Sequence, residues 1–166
     1  MGIQASTTCA AESSLESRIQ AALVLNFIPF IGWPDGAFAK ADDPIVIGIV
    51  SSDSMESALV TAIDGKIIKG RKLIVVHISP GQPISGCHVL IIGPEDQAQT
   101  EALIKSVGSQ SIVTIGDFEG FTDAGGTIRF YTEDEKERFE INLASANRQN
   151  LQISAKLLKL ARIVNK

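Results

Sequence analysis

Three short apolar runs, each ending in a turn of Gly, Ser or Asp, constrain this chain more than any other feature. Residues 45–50, 88–92 and 111–115 stop at Ser51-Ser52-Asp53-Ser54, Gly93-Pro94 and Gly116-Asp117. A nearly continuous apolar strand is buried on both faces, which suits the middle of a parallel sheet covered by helices. Helical patterns fall between the runs. Ser54 predicts an N-cap for a helix over 55–63, and Pro94, Glu95 and Asp96 suit the first turn of a helix over 95–107.

The flanks of this pattern differ. A helix over 14–31 is apolar on most faces, with Ile19, Leu23, Phe27 and Phe30 at helical spacing and Pro29 set to kink its last turn. Such a helix is buried or meets a partner. Residues 65–68 and 72–79 read as two strands around Lys69-Gly70-Arg71. Near the C-terminus, alternating stretches at 127–132 and 137–143 flank Glu133-Asp134-Glu135 and predict a β-hairpin. Setting Phe130 against Phe139 and Ile128 against Ile141 aligns the apolar faces and puts Arg129 opposite Glu140. Gly125-Gly126 before it reads as a tight entry turn with positive φ. A short helix over 144–149 follows. A final helix is capped by Ser154, with Leu157, Leu158, Ala161 and Val164 inward. The expectation is a single α/β domain: a mixed, largely parallel sheet covered by helices, with a C-terminal hairpin and a terminal helix.

At 166 residues the chain is long enough for one domain that buries roughly 70 % of its unfolded surface. Its 15 Lys and Arg against 19 Asp and Glu argue against a nucleic-acid partner, which would select a basic surface. Two cysteines, Cys9 and Cys87, make no disulfide scaffold and lack metal-ligand spacing. The longest apolar run, 21–33, is broken by Asn26, Pro29 and Gly32 and falls short of the about 20 residues a membrane span needs. Residues 1–17 carry neither a charged start nor an apolar centre, so they read as a flexible leader rather than a signal peptide. The chain is then either cytosolic or a processed form with a new start methionine, its domain running over 18–166.

In an open α/β sheet, ligands bind beyond the carboxyl ends of the strands. The turns at that edge give Ser51, Ser52, Asp53, Gly116 and Asp117 as candidate ligand-binding residues, with hydroxyls and backbone N–H groups suited to an anion. The plain alternative makes Ser54 a cap and Asp117 a turn former. Neither glycine-rich nucleotide fingerprint is present, so no cofactor is expected. Cys87 and His88 are strand neighbours and point to opposite faces, which prevents a nucleophile–base pair. Cys87 reads as a buried free thiol, and His77 as a surface or edge histidine. Arg138, Glu140 and Asn142 alternate with the apolar face of their strand. They form either a polar recognition strip or a wet face paired with Arg129.

Several motifs in one order resemble the YfiR/HmsC-like family. They are Asn26-Phe27, Phe30 and Trp33-Pro34; Gly65-Lys66; Gly86-Cys87-His88; Gly116-Asp117; and Gly125-Gly126 with Ile128 and Phe130. The most specific part is C-terminal: residues 138–143 (RFEINL), then Ser154, Leu157, Leu158, Leu160, Ala161 and Arg162. The similarity runs from about Ile19 to Val164. It implies a periplasmic, non-enzymatic regulator that represses a membrane-anchored diguanylate cyclase of the YfiN type through its periplasmic domain, lowering cyclic-di-GMP output and biofilm formation. It also implies dimerisation and redox sensitivity. On this basis the partner-binding candidates are Phe30, Trp33, Arg138, Glu140 and Asn142. The alternative is a periplasmic sensor module for a small ligand. An enzyme built on Asp117 or Cys87 lacks a base, a nucleophile and an orienting group in one place.

Two departures matter. The family cysteine that pairs with the counterpart of Cys87 is replaced by Gly48, and a second cysteine pair near the hairpin is absent. The redox sensitivity that the resemblance implies would therefore have to act here without those bridges. Pro29 also stands where the family often carries a lysine.

Overall fold

The computed structural model describes residues 14–79, 81–93 and 97–165. Most of the expected leader, residues 1–13, and the expected helix start at Pro94, Glu95 and Asp96 lie outside the described residues. Helix α1 (Leu15–Phe27) is capped by the Ser14 hydroxyl, which accepts from Ser17 N. It passes at Pro29 into a 3-10 turn, Ile28–Phe30, as expected for a residue without an amide hydrogen. Strand β1 (Ile31–Gly32) ends it.

Three apolar runs form the sheet centre: β2 (Ile45–Val50), β5 (Val89–Ile92) and β6 (Val113–Gly116). Between them come α2 (Asp53–Ala62), β3 (Ile67–Ile68), β4 (Arg71–His77) and α3 (Gln97–Val107). The C-terminal part adds β7 (Ile128–Glu133), β8 (Lys136–Asn142), α4 (Leu143–Arg148), β9 (Gln152–Ile153), α5 (Ala155–Leu158) and β10 (Arg162–Val164). The main sheet has eight strands in the order β10-β8-β7-β6-β5-β2-β4-β3, and β1 pairs separately with β9. Pairs β2–β4, β2–β5, β5–β6, β6–β7 and β8–β10 are parallel; β3–β4 and β7–β8 are antiparallel. This is the expected single α/β domain with a mixed, largely parallel sheet.

The core has two layers. On one face α1 and α2 cover Ile47, Ile49, Val89, Ile91 and Ile115, while Phe27 packs on Phe130 and Phe139 of the hairpin with ring centroids 5.8 and 4.5 Å away. On the other, Ile104 and Val107 of α3 meet Val50, Leu90, Ile92 and Phe121. The hairpin register is the expected one, including Phe130 opposite Phe139 and Arg129 opposite Glu140. Its turn places Asp134 and Glu135 at φ 54° and 62°, the left-handed pair that a two-residue hairpin requires.

Three expectations are corrected. Ser52, not Ser54, caps α2; the Ser54 hydroxyl instead accepts from Ser14 N at 2.9 Å and donates to Ser17 Oγ at 2.8 Å, tying α1 to α2. The buried stripe of α1 is Gln20, Ala21, Val24, Leu25 and Phe27, so Ile19 and Phe30 are exposed. Finally, the terminal helix is a single turn. Beyond it Arg162–Val164 pairs in parallel with Glu140–Asn142, so that a strand with β-branched Ile163 and Val164 covers an otherwise open edge of β8.

Candidate functional site

Strand β2 connects through α2 to β4 on one side, and the chain then crosses to β5 on the other. The crevice beyond the carboxyl ends of β2 and β5 is thus the switch point of the sheet, where open α/β folds hold ligands. The two ends are pressed together there. Gly93 N donates to Val50 O at 2.7 Å, and a Cβ on Gly93 would collide with the Ser51 backbone, so only glycine fits. Ser51 itself sits at φ 60°.

A cavity of about 270 Å³ opens at this place. Ile91, Ile115, Phe130 and Met55 form its floor, and Ser14, Ser17, Ser52, Ser54, Glu16, Gln20 and Asp117 supply polar groups. Ser52, Gly116 and Asp117 of the expected ligand set line it; Ser51 and Asp53 do not. Apart from Ser54 of α2, the other polar groups come from the start of α1, which packs beside α2. Gln20 is the legible signal that sequence reading passed over: a buried amide within an apolar helix, donating to Glu137 Oε2 at 3.0 Å.

The electrostatics of this edge are acidic. Burial pushes the Asp117 carboxyl up despite the opposing pull of its own backbone N–H and Arg129. Burial also raises Glu137, helped by Glu16 and Asp117 and resisted by the Gln20 hydrogen bond. Negative charge there disfavours the anion expected from the serine-rich turns.

The partner-binding candidates separate in space. Phe30 is 37 % exposed, on the 3-10 turn. Trp33 is half-buried; its indole N–H donates to His88 O at 3.2 Å, and its ring meets Phe38 and His88 edge-on. Open clefts of about 560 and 450 Å³ flank Trp33, one lined by Asn147, Asn150 and Gln152, the other by Phe38, Lys69 and Arg71.

The expected strip of Arg138, Glu140 and Asn142 does not form a surface. Arg138 is exposed and pairs with Glu133 at 3.2 Å, but Glu140 and Asn142 are 3 % and 0 % exposed. The reason is β10, which covers the strand edge, together with the loop before β7. Glu140 accepts from Thr122 Oγ1 at 2.7 Å and pairs with Arg129 and Arg162. Asn142 donates to Thr122 O and caps α4.

Cys87 and His88 do point apart. Cys87 is a buried free thiol whose pKa burial raises. The His88 Nδ1 accepts from Val46 N at 3.0 Å, which leaves Nε2–H to donate to Ala37 O at 2.9 Å. Phe38 stacks on that ring at 4.1 Å, and Arg71 covers Phe38 at 3.6 Å. His88 thus pins the 33–43 loop to the sheet. His77, at the end of β4, is exposed, and its Nδ1 lies 2.8 Å from Glu56 Oε1.

The YfiR/HmsC-like family model matches residues 17–162, so the chain belongs to that family. The family is regulatory and non-catalytic, is periplasmic in general, and is associated with diguanylate cyclase signalling and a membrane signalling partner. No curated protein matches the chain. Among the described residues, no helix is long and apolar enough to cross a membrane.

Proposed function

We propose that the protein is a periplasmic regulator that binds the periplasmic domain of a membrane-anchored diguanylate cyclase of the YfiN type and represses it. The observation that carries this reading is membership of the YfiR/HmsC-like family over residues 17–162. The contact surface in this reading centres on Phe30 and Trp33. Phe30 is an exposed phenylalanine three residues before the half-buried Trp33, and the open polar clefts that flank Trp33 supply the polar surround of a protein interface with aromatic anchors. Glu140 and Asn142 have no place on it; Arg138 remains available at the hairpin.

The test measures binding to the cyclase periplasmic domain and cyclic-di-GMP levels in cells. Phe30→Asp should fold normally, weaken binding by at least about tenfold, corresponding to the loss of a contact worth about 1.4 kcal/mol, and raise cyclic-di-GMP. Full repression by that variant would move the contact elsewhere. A wild-type chain that binds no periplasmic cyclase domain would remove the reading.

A second reading, a sensor module for a small ligand, is favoured by the cavity at the switch point. A ligand present at 100 times its Kd would stabilise the protein by about 2.7 kcal/mol in a thermal-shift screen, and Asp117→Asn should change that response.

A further inference from the structure

We propose that Asp53, Glu56 and His77 form a binding site for one divalent transition-metal ion of the zinc type. One ligand atom from each of the three residues can be chosen so that all lie within 4.8 Å of one another. Asp53 and Glu56 are three apart in the first turn of α2 and so share one face. His77 is the last residue of β4, the parallel neighbour of β2, and from that separate element its imidazole lies within 4.8 Å of a carboxylate oxygen of each acid, 2.8 Å from Glu56 Oε1.

Simpler explanations account for only parts of this arrangement. The helix dipole favours acidic residues in a first turn, and a hydrogen bond links Glu56 to His77. Neither requires Asp53 to converge on the same point. Among the described residues, neither carboxylate is paired with a lysine or arginine, so no cationic side chain competes for the two carboxylates and the imidazole. That set of donors selects zinc and its neighbours over magnesium or calcium, which prefer all-oxygen sites. Three ligands leave a fourth position for water or an incoming donor. The ion would join the start of α2 to the end of β4. This inference does not rest on the regulatory reading.

The experiment is a calorimetric titration of zinc chloride into the tag-free chain in a Cys9→Ser background, so that the leader thiol does not compete. Cobalt chloride is titrated in parallel to record its ligand-field bands. One zinc per chain should bind at neutral pH, and magnesium chloride should give no heat. His77→Gln and Asp53→Asn should each weaken zinc by at least about tenfold, since even a group outside the ligand set costs that much. All three residues are exposed or half-buried, so both variants should keep the wild-type circular dichroism spectrum and melting temperature in the absence of metal. Absence of saturable one-to-one zinc binding would overturn the proposal. So would equal affinity in His77→Gln, which would place the ion elsewhere.

Discussion

A Cβ on Gly48 would stand 2.8 Å from the Cys87 sulfur, so the two residues face each other in the layer of the core beneath α3. It would also lie 2.6 Å from the end of the Ile78 side chain. Gly48→Ala should therefore overpack this layer and cost about 1–3 kcal/mol in denaturant unfolding. Gly48→Cys should instead cross-link to Cys87 under mild oxidation, because its Cβ already stands within reach of the partner sulfur. The mass should fall by two hydrogens, with no thiol at either position titrating after unfolding. In the wild-type chain Cys87 should react only on unfolding, being buried with its pKa pushed up. A Gly48→Cys chain that keeps both thiols would contradict the facing arrangement.

Glu140 joins the hairpin to the last strand. It pairs with Arg129 at 3.5 Å and Arg162 at 3.0 Å, the latter a charge contact without a well-aligned hydrogen bond. Glu140→Ala takes the paired carboxylate from the mostly buried Arg129, which keeps its Nε–H bond to Phe118 O and the attraction of Asp117, and should cost on the order of 3 kcal/mol in chemical denaturation. Arg162 is more than half exposed, so Arg162→Ala should cost at most about 1 kcal/mol. Similar losses for the two variants would show that Glu140 is not the centre of the cluster.

The sheet was legible because its signals are local. Apolar runs of four to six residues ending in Gly or Ser mark buried parallel strands, and two apolar faces fixed the register of Arg129 and Glu140. What sequence could not show was which strand edge a later segment would cover. Residues 162–164 fit a helical pattern as well as a strand, and pairing with β8 decided between them. That pairing, together with the loop before β7 that carries Thr122, turned Glu140 and Asn142 from an expected surface into interior groups. The cavity was half legible for the same reason: Ser52, Gly116 and Asp117 follow from the turns, whereas Glu16 and Gln20 depend on where α1 docks.

His88 should make the protein acid-sensitive. Burial lowers its pKa from the ordinary 6.5, with Arg71 pushing the same way, while the Ala37 carbonyl and Asp43 oppose. Its neutral Nδ1 accepts from Val46 N, a bond that protonation destroys. The folded chain therefore binds fewer protons than the unfolded one. This contribution is fully present above about pH 6.5 and is lost as the pH falls toward the lowered value. The difference in unfolding free energy between wild type and His88→Gln should shrink over that range. A difference that stays constant from pH 7.5 to about pH 5 would exclude a titrating His88.

Asp117 and Glu137 act with the opposite sign. Burial raises both above their ordinary values of 3.8 and 4.5, so the folded chain binds more protons than the unfolded one. Their unfavourable contribution grows as the pH rises through the raised values and is complete at neutrality. Asp117→Asn should raise the melting temperature at pH 7, and the gain should vanish as the pH falls below the ordinary value of 3.8. A variant less stable than wild type at pH 7 would show that the Asp117 charge helps to hold the fold.

Trp33 and Phe30 should separate stability from binding. Trp33 donates its indole N–H to His88 O and packs on Phe38, the ring that His88 and Arg71 enclose. Trp33→Ala removes a large ring from that cluster and leaves the His88 carbonyl without this donor. The expected loss is about 3 kcal/mol, the lower end for a fully buried aromatic because Trp33 is only half-buried. Weaker binding to a partner would then not by itself place Trp33 at an interface. Phe30 is 37 % exposed, and its backbone carbonyl accepts from Ser154 N at 2.9 Å. Phe30→Ala keeps that bond and should cost less than about 1 kcal/mol, well below the loss for a buried ring. If the aromatic pair is the contact surface, Phe30→Ala should weaken cyclase binding with its melting temperature nearly unchanged. Should it lose stability as heavily as Trp33→Ala, both rings belong to the core and the partner surface lies elsewhere.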